Sequence, residues 1–146
     1  MQIRAFRPDD TEAVVALWEE VGLTRPWNDP RKDIARKLEV QPELFVVAVD
    51  DDRILGTVMA GYDGHRGWMN YLAAGPDARG TGIGRALVEH VEHALEARGC
   101  PKVNLQVRSS NTAVVAFYEH LGYTVDDTVD LGKRLIPDVE PGTVEQ

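Results

Sequence analysis

An α/β (α+β) domain, with a mixed and mostly antiparallel sheet of about six to seven strands and helices on both faces, is predicted by three observations. Short apolar runs of strand length recur between clusters of Gly, Pro and Asp. Amphipathic helical stretches interrupt those runs, the longest carrying Ile83, Leu87, Val91 and Leu95 at every fourth position. The run Arg79-Gly80-Thr81-Gly82-Ile83-Gly84 sits where a strand gives way to that helix. The expected element order is βααβββαβαββ.

Each element follows from local signals. Gln2–Phe6 reads as a strand. Pro8-Asp9-Asp10 supplies capping oxygens for a helix to about residue 21, with Val14, Leu17, Trp18 and Val21 on one face and Gly22 as its stop. Arg25-Pro26-Trp27-Asn28 is a loop, and Asp29-Pro30 fits an N-cap followed by proline at the first helical position. A short helix then runs to about Glu39, with Ile34 and Leu38 inward. Strands are expected over 44–49, 54–62 and 68–74, joined by turns at Asp50-Asp51-Asp52 and Asp63-Gly64-His65-Arg66-Gly67. The long helix spans 82–98, with Gly99 as its C′ residue. A strand over 103–108, a helix from Asn111 through His120 stopped by Gly122, and two closing strands near 123–126 and 128–135 finish the pattern. Residues 1–137 read as one domain. The acidic, Pro/Gly-bearing stretch 138–146 reads as a flexible tail.

Bulk properties narrow the function. A chain of 146 residues suits a single core. Sixteen basic against 24 acidic residues give a net charge of −8, which disfavours nucleic acid as a partner and is compatible with a cationic one. No apolar run has membrane-span length and the N-terminus lacks a signal-peptide core, so a cytoplasmic protein without a membrane partner is expected. Cys100 is the single cysteine, and the four histidines have no metal-ligand spacing, so no metal is expected. His90 and His93 read as solvent-facing, and His120 lies at a helix end that favours positive charge.

The glycine-rich turn is the feature that bears chemistry. Its N–H groups have no intrahelical partner and, with the helix dipole, attract a phosphate-type anion. Gly80, Gly82 and Gly84 allow close backbone approach. Arg79 and Arg85 can add charge-assisted hydrogen bonds. An ordinary tight turn between strand and helix is the alternative. The Walker lysine is absent, and the glycine spacing is not that of a dinucleotide fold.

Taken together, Arg79-x-x-Gly82-x-Gly84, Asn111 and the run Ala116-Phe117-Tyr118-Glu119-His120-Leu121-Gly122-Tyr123 resemble the GNAT superfamily of acetyl-CoA-dependent N-acetyltransferases. The resemblance covers essentially the whole chain. Residues 25–30, 61–67 and 131–136 are also similar to the bacterial YpeA subgroup. This resemblance implies acetyl-CoA as cosubstrate, an amine acceptor that is a small molecule or peptide, and the homodimers that GNAT domains often form. It implies that the cofactor pyrophosphate rests on Arg79, Gly80, Thr81, Gly82, Ile83, Gly84 and Arg85. It implies that the pantetheine arm adds to the strand at Leu72, Ala73 and Ala74, through main-chain hydrogen bonds that leave little sequence trace. Core packing is the alternative for the alanine pair. Asn111 is an N-cap that, by the resemblance, also touches the cofactor. Tyr118 matches the family's general acid for the departing thiolate. With a phenol near 10 and a thiol near 8.5, that role demands tight positioning.

One departure stands out. Residues 105–111 resemble ribosomal-protein N-terminal acetyltransferases, in which a carboxylate serves as base at the position of Gln106. Glutamine accepts no proton at neutral pH but can hold a water or an amine. An α-amine titrates near 8 and a lysine near 10.4, a difference of about 3 kcal/mol in reaching the neutral nucleophile, which favours an α-amine or a similarly weak base. Asp63, His65 and Tyr71 are candidate substitutes, the first two sitting in a turn that would keep them solvated. Acceptor recognition is expected from Arg25, Trp27, Asp29 and Tyr71, with a loop-pinning role as the alternative for Trp27. Protein lysine or N-terminal acetylation is the alternative within the family. An acyl-CoA sensor without turnover is the alternative outside it, kept open by Gln106 and opposed by Tyr118.

Overall fold

The computed structural model describes residues 1–139. One five-stranded sheet is formed by β1 (Gln2–Ala5), β2 (Phe45–Asp50), β3 (Arg53–Tyr62), β4 (Gly67–Ala74) and β5 (Val103–Leu105), in that spatial order. The first four strands pair antiparallel, and β5 joins β4 in parallel. Helices α1 (Thr11–Glu20) and α2 (Pro30–Lys37) follow β1, α3 (Ile83–Ala97) follows β4, and α4 (Thr112–His120) follows β5. No helix among the described residues is long and apolar enough to cross a membrane.

Two apolar layers sandwich the sheet. On one face Val14, Trp18 and Ile34 of α1 and α2 pack on Phe45, Val47 and Met59. On the other, Leu87, Val88, Val91 and Leu95 of α3 pack on Val46, Val58 and Met69, with Tyr118 of α4 in the same cluster. Alternation along β2 and β3 feeds both layers, because successive side chains point to opposite faces. Helix α3 also approaches β3 closely: a Cβ on Gly56 would lie 2.7 Å from the Ala73 carbonyl and 3.0 Å from Ile83 and Leu87 side-chain carbons.

The sheet differs from expectation in three places. Five strands form rather than six or seven, and residues 123–139 contain none of the two closing strands expected there. Strand β5 stops at Leu105 instead of continuing to Arg108, because its pairing with β4 ends at Met69↔Leu105 and the two chains then diverge. Asp138, expected in the tail, is 4% exposed. Its carboxylate accepts from the Asp29 N–H at 2.8 Å and pairs with Arg36, and its carbonyl accepts from Lys32 Nζ at 2.6 Å. The rest of that stretch, from residue 140, lies outside the described residues.

Candidate active site at the splay between two strands

The divergence of β4 and β5 creates the site. Past Met69, β4 has β3 as its only strand partner among the described residues, so residues 70–74 present a free backbone edge on the β5 side. A register shift opposite Thr57 and Met59 accompanies the divergence, and Tyr71 there has φ of +53°. That conformation costs a non-glycine residue about 1–2 kcal/mol. Neighbours hold it in place. The Trp18 indole donates to Thr57 Oγ1 at 2.9 Å, and that hydroxyl donates to the Tyr71 carbonyl at 2.8 Å. The Tyr71 ring stacks on Trp18 at 3.8 Å between centroids. Two buried hydrogen bonds at about 1 kcal/mol each offset the strain.

Leu72 and Ala74 on this edge are half-buried, whereas Ala73 is 4% exposed in the α1/α2 layer. The Ala73 side chain thus fills the core, as the packing alternative for the alanine pair required.

The glycine-rich turn lies at the end of the same strand. Gly80 and Gly82 have φ of +79° and +84°, and a Cβ at either would meet no atom within 4 Å. Glycine is therefore needed there for backbone conformation, and the space beside the turn is open. Among the described residues, the N–H groups of Gly80, Gly82, Ile83, Gly84 and Arg85 make no backbone hydrogen bond. Thr81 is tied to the Ala78 carbonyl through both its N–H and its hydroxyl. Arg85 pairs with Glu89 at 2.8 Å, and Arg79 has no ion pair among the described residues. A Cβ on Gly84 would come within 3.4 Å of the Phe117 ring, so this glycine serves the contact between α3 and α4. Asn111 caps α4 by accepting from the Val114 N–H at 3.3 Å.

Tyr118 separates itself from the other tyrosines. The hydroxyls of Tyr71 and Tyr123 donate to Asp33 and Glu92, each at 2.7 Å, and that of Tyr62 to the Gly64 carbonyl at 3.4 Å. Tyr118 is 7% exposed, no side-chain hydrogen bond among the described residues involves its hydroxyl, and that oxygen is not sealed from solvent. Burial pushes its pKa up to about 12.

On the α2 side of the splay lies a cleft of about 880 Å³. Arg25, Trp27, Tyr71 and Gln106 all line it; Asp29 does not. The Asp29 carboxylate instead accepts from the Arg31 N–H at 2.9 Å as the N-cap of α2. Trp27 lies outside both core layers, and the Arg108 guanidinium carbon sits 5.9 Å from its ring centroid. Asp63 and His65 do not line the cleft; Asp63 accepts from the N–H groups of His65 and Arg66 at 2.8 and 2.7 Å and closes the turn. Those bonds to Arg66 and His65 hold its pKa below the ordinary carboxylate range. Tyr71 is pushed well above the usual phenol range by burial and by its bond to Asp33, which removes it as a base.

Asn28, Asp33, Lys37 and Asp130 are among the lining residues that the sequence reading did not single out as site residues. Asn28 donates to Asp33 Oδ2 at 2.5 Å, so the loop is tied to α2 through the carboxylate that Tyr71 also uses. Lys37 projects from α2, and its spacing from Ile34 places it on the inward stripe, a signal present in the sequence. Asp130 arrives from the irregular segment after α4, and its Oδ1 accepts from Gln106 Nε2 at 2.7 Å. No local pattern announces that contact across 24 positions.

A free strand edge leading from a helix start with unpaired N–H groups to a polar cleft is the arrangement of an acyl-transfer class of site. The chain belongs to the acetyltransferase (GNAT) family, whose model matches residues 11–123, and it is an N-acetyltransferase. It is 56% identical over 140 residues to an acetyltransferase of Pectobacterium atrosepticum, covering 96% of this chain and 99% of that one. The fold matches the crystal structure of the ribosomal-protein-S18-alanine N-acetyltransferase of Escherichia coli with a TM-score of 0.68 and 26% identity, over 83% of this chain and 76% of that one. It also matches a glucosamine-6-phosphate N-acetyltransferase of Arabidopsis thaliana in fold, with a TM-score of 0.66 and 19% identity, over 92% and 98% of the two chains.

Proposed function

We propose that this protein moves the acetyl group of acetyl-CoA to a primary amine held in the cleft, by direct attack in a ternary complex. The observation that carries this reading is the juxtaposition at the splay. The free edge at 70–74 runs between the unpaired N–H groups of the turn and the cleft containing Gln106 and Asp130. Pyrophosphate on residues 79–85 would be met by backbone donors and Arg79, and a pantetheine arm would add to the β4 edge as a strand does. Leu105 and Val107 pack in the same layer as Tyr118. Tyr118 therefore serves the leaving sulfur from the α4 side while the amine approaches from the α2 side. Asn111 acts as a cap that adjoins the cofactor.

The carboxylate absent at position 106 is supplied by Asp130. Gln106 donates to one of its oxygens, and the other has no partner among the described residues. That oxygen takes the amine proton in this reading, directly or through a water. Acetyl-CoA turnover, read as thiol release against a panel of amines and peptides, tests the reading, and no transfer to any of them would refute it. For Asp130→Asn, kcat/KM is expected to fall on the order of 10²-fold. In the native enzyme, kcat/KM against pH should show one inflection shared by two acceptors of different amine pKa. In the variant each profile should instead follow its own acceptor's titration. Profiles that follow the acceptor in both proteins would assign Asp130 a merely structural contact and leave Gln106 as the positioning group.

A homodimer completes the reading. Val125, Val129, Leu131, Leu135 and Ile136 are 71–89% exposed beside a sheet whose β5 edge is unpaired among the described residues. A second copy covering these side chains predicts a dimer mass in light scattering, converted to monomer by Val129→Glu with Leu131→Glu.

A further inference from the structure

The cleft carries a charge opposite to that of the chain that builds it. The whole chain is at −8. Four basic side chains and only two carboxylates line the cleft. Arg36 is matched to Asp33 at 3.0 Å and to Asp138. Arg25 directs its guanidinium to the carbonyls of Gly22 and Thr24, at 2.9 and 2.8 Å. Arg108 lies over Trp27. Neither Arg25 nor Arg108 forms an ion pair among the described residues.

Lys37 is the decisive group. It is 9% exposed, lines the cleft, and has neither an ion pair nor a side-chain hydrogen bond among the described residues. Its Nζ lies beside Gly61, where an added Cβ would be 3.5 Å away. Glu43, the nearest source of compensating charge, is held by Arg98 at 3.0 Å. Withdrawing an ammonium from water without a counter-ion is costly. Burial accordingly lowers its pKa, with Glu43 opposing and Arg98 adding to the effect. Lys37 is nonetheless a lining residue of the cleft, so its ammonium is within reach of a ligand bound there. Asp130, in turn, is the lining carboxylate without a cationic partner among the described residues. The cleft is thus polarised, with cations on the α2 and loop walls and an open carboxylate at the splay.

We propose that the acceptor is a primary amine that also bears an oxyanion, either carboxylate or phosphate. Lys37 anchors the oxyanion, Arg108 assists it at the rim, and the amine points to Asp130 and Gln106. This rests on the transferase reading above and adds the substrate class. It reverses the expectation from net charge, because the acidic residues lie elsewhere on the surface.

The test is acetyl transfer to matched pairs of acceptors. Suitable pairs are an α-amino acid and its carboxamide, Ala-Glu amide and Ala-Gln amide, and glucosamine 6-phosphate and glucosamine. The anionic member of at least one pair is expected to show kcat/KM about tenfold or more above its neutral partner, the worth of one charge-assisted contact. Which pair responds tells carboxylate from phosphate. Lys37→Met should bring that ratio close to one through KM, while leaving CoA affinity intact and melting temperature unchanged or raised, since an unpaired charge is removed. Arg108→Gln, at an exposed position, should lower the same ratio severalfold and keeps the test decisive if Lys37→Met misfolds. Equal rates within every pair, or a ratio that survives both substitutions, would overturn the proposal. A fall in melting temperature with an unchanged ratio would mark Lys37 as structural and overturn it equally. Transfer to no amine at all, with CoA still bound, would instead refute the transferase reading and this inference with it.

Discussion

Gly82→Asp is expected to abolish measurable CoA binding while leaving a folded protein. Gly82 is the N-cap of α3 and has φ of +84°, a region that costs a side-chain-bearing residue about 1–2 kcal/mol. A Cβ there meets nothing within 4 Å, so the fold itself accommodates the new side chain. A pyrophosphate seated on the turn, as proposed, would not. Two like charges about 4 Å apart repel by about 4 kcal/mol at an effective dielectric of 20, which corresponds to a loss in affinity on the order of 10³-fold. Gly82→Asn separates shape from charge, because asparagine tolerates the left-handed region and carries no charge. Its loss should stay within about tenfold. Calorimetry of CoA binding to the three proteins decides the matter. Equal affinities would mean that the turn is only a chain reversal and that the pyrophosphate sits elsewhere.

What the sequence revealed depended on whether the cause was local. Helix α3 and the turn before it are encoded by adjacent residues: apolar side chains at every fourth position and glycines where φ is positive. Asp29 before Pro30 likewise announced its cap, and its carboxylate caps α2 rather than lining the cleft. The strands expected after Gly122 failed for a non-local reason. Val125, Val129, Leu131 and Leu135 carry the composition of a strand, but a strand exists only when a neighbour pairs with it, and within the described residues their backbone forms no ladder with β5 or any other strand. The segment is held by side chains instead. Arg134 donates to Asn28 at 3.2 Å, and Asp138 is bonded to α2 and to the Asp29 N–H. These contacts, separated by more than a hundred positions, are also what carry Asp130 over Gln106. The acceptor side was therefore half legible. Arg25, Trp27, Tyr71 and Gln106 stood out by residue type, whereas Asp130 and the polarity of the cleft required the chain to be folded.

Tyr118→Phe is expected to lower kcat on the order of 10²-fold with CoA affinity nearly unchanged. The hydroxyl contributes no hydrogen bond to the fold among the described residues and is open to solvent rather than sealed in the core. The ring keeps its edge contacts with Phe117 and Tyr123, at 5.1 and 5.5 Å between centroids, in either side chain. Phenylalanine should therefore pack as well as tyrosine, with little change in melting temperature. The raised pKa defines the chemistry. A phenol at about 12 stays protonated throughout the assay range. Complete transfer of its proton to a thiolate near 8.5 is uphill by roughly 5 kcal/mol. In the proposed general-acid role the hydroxyl would act first as a hydrogen-bond donor to the sulfur as negative charge develops there, and would give up its proton only as the products separate and solvent can restore it. A donor of this kind, placed where charge appears in the transition state, is worth about 2.7–4 kcal/mol, consistent with the expected loss in kcat. Because the interaction is absent from the ground state, KM for acetyl-CoA should not move. Steady-state kinetics beside direct CoA titration tests both halves. A parallel loss of affinity and rate would assign Tyr118 to packing around the cofactor. An unchanged kcat would hand the leaving thiolate to solvent or to another donor.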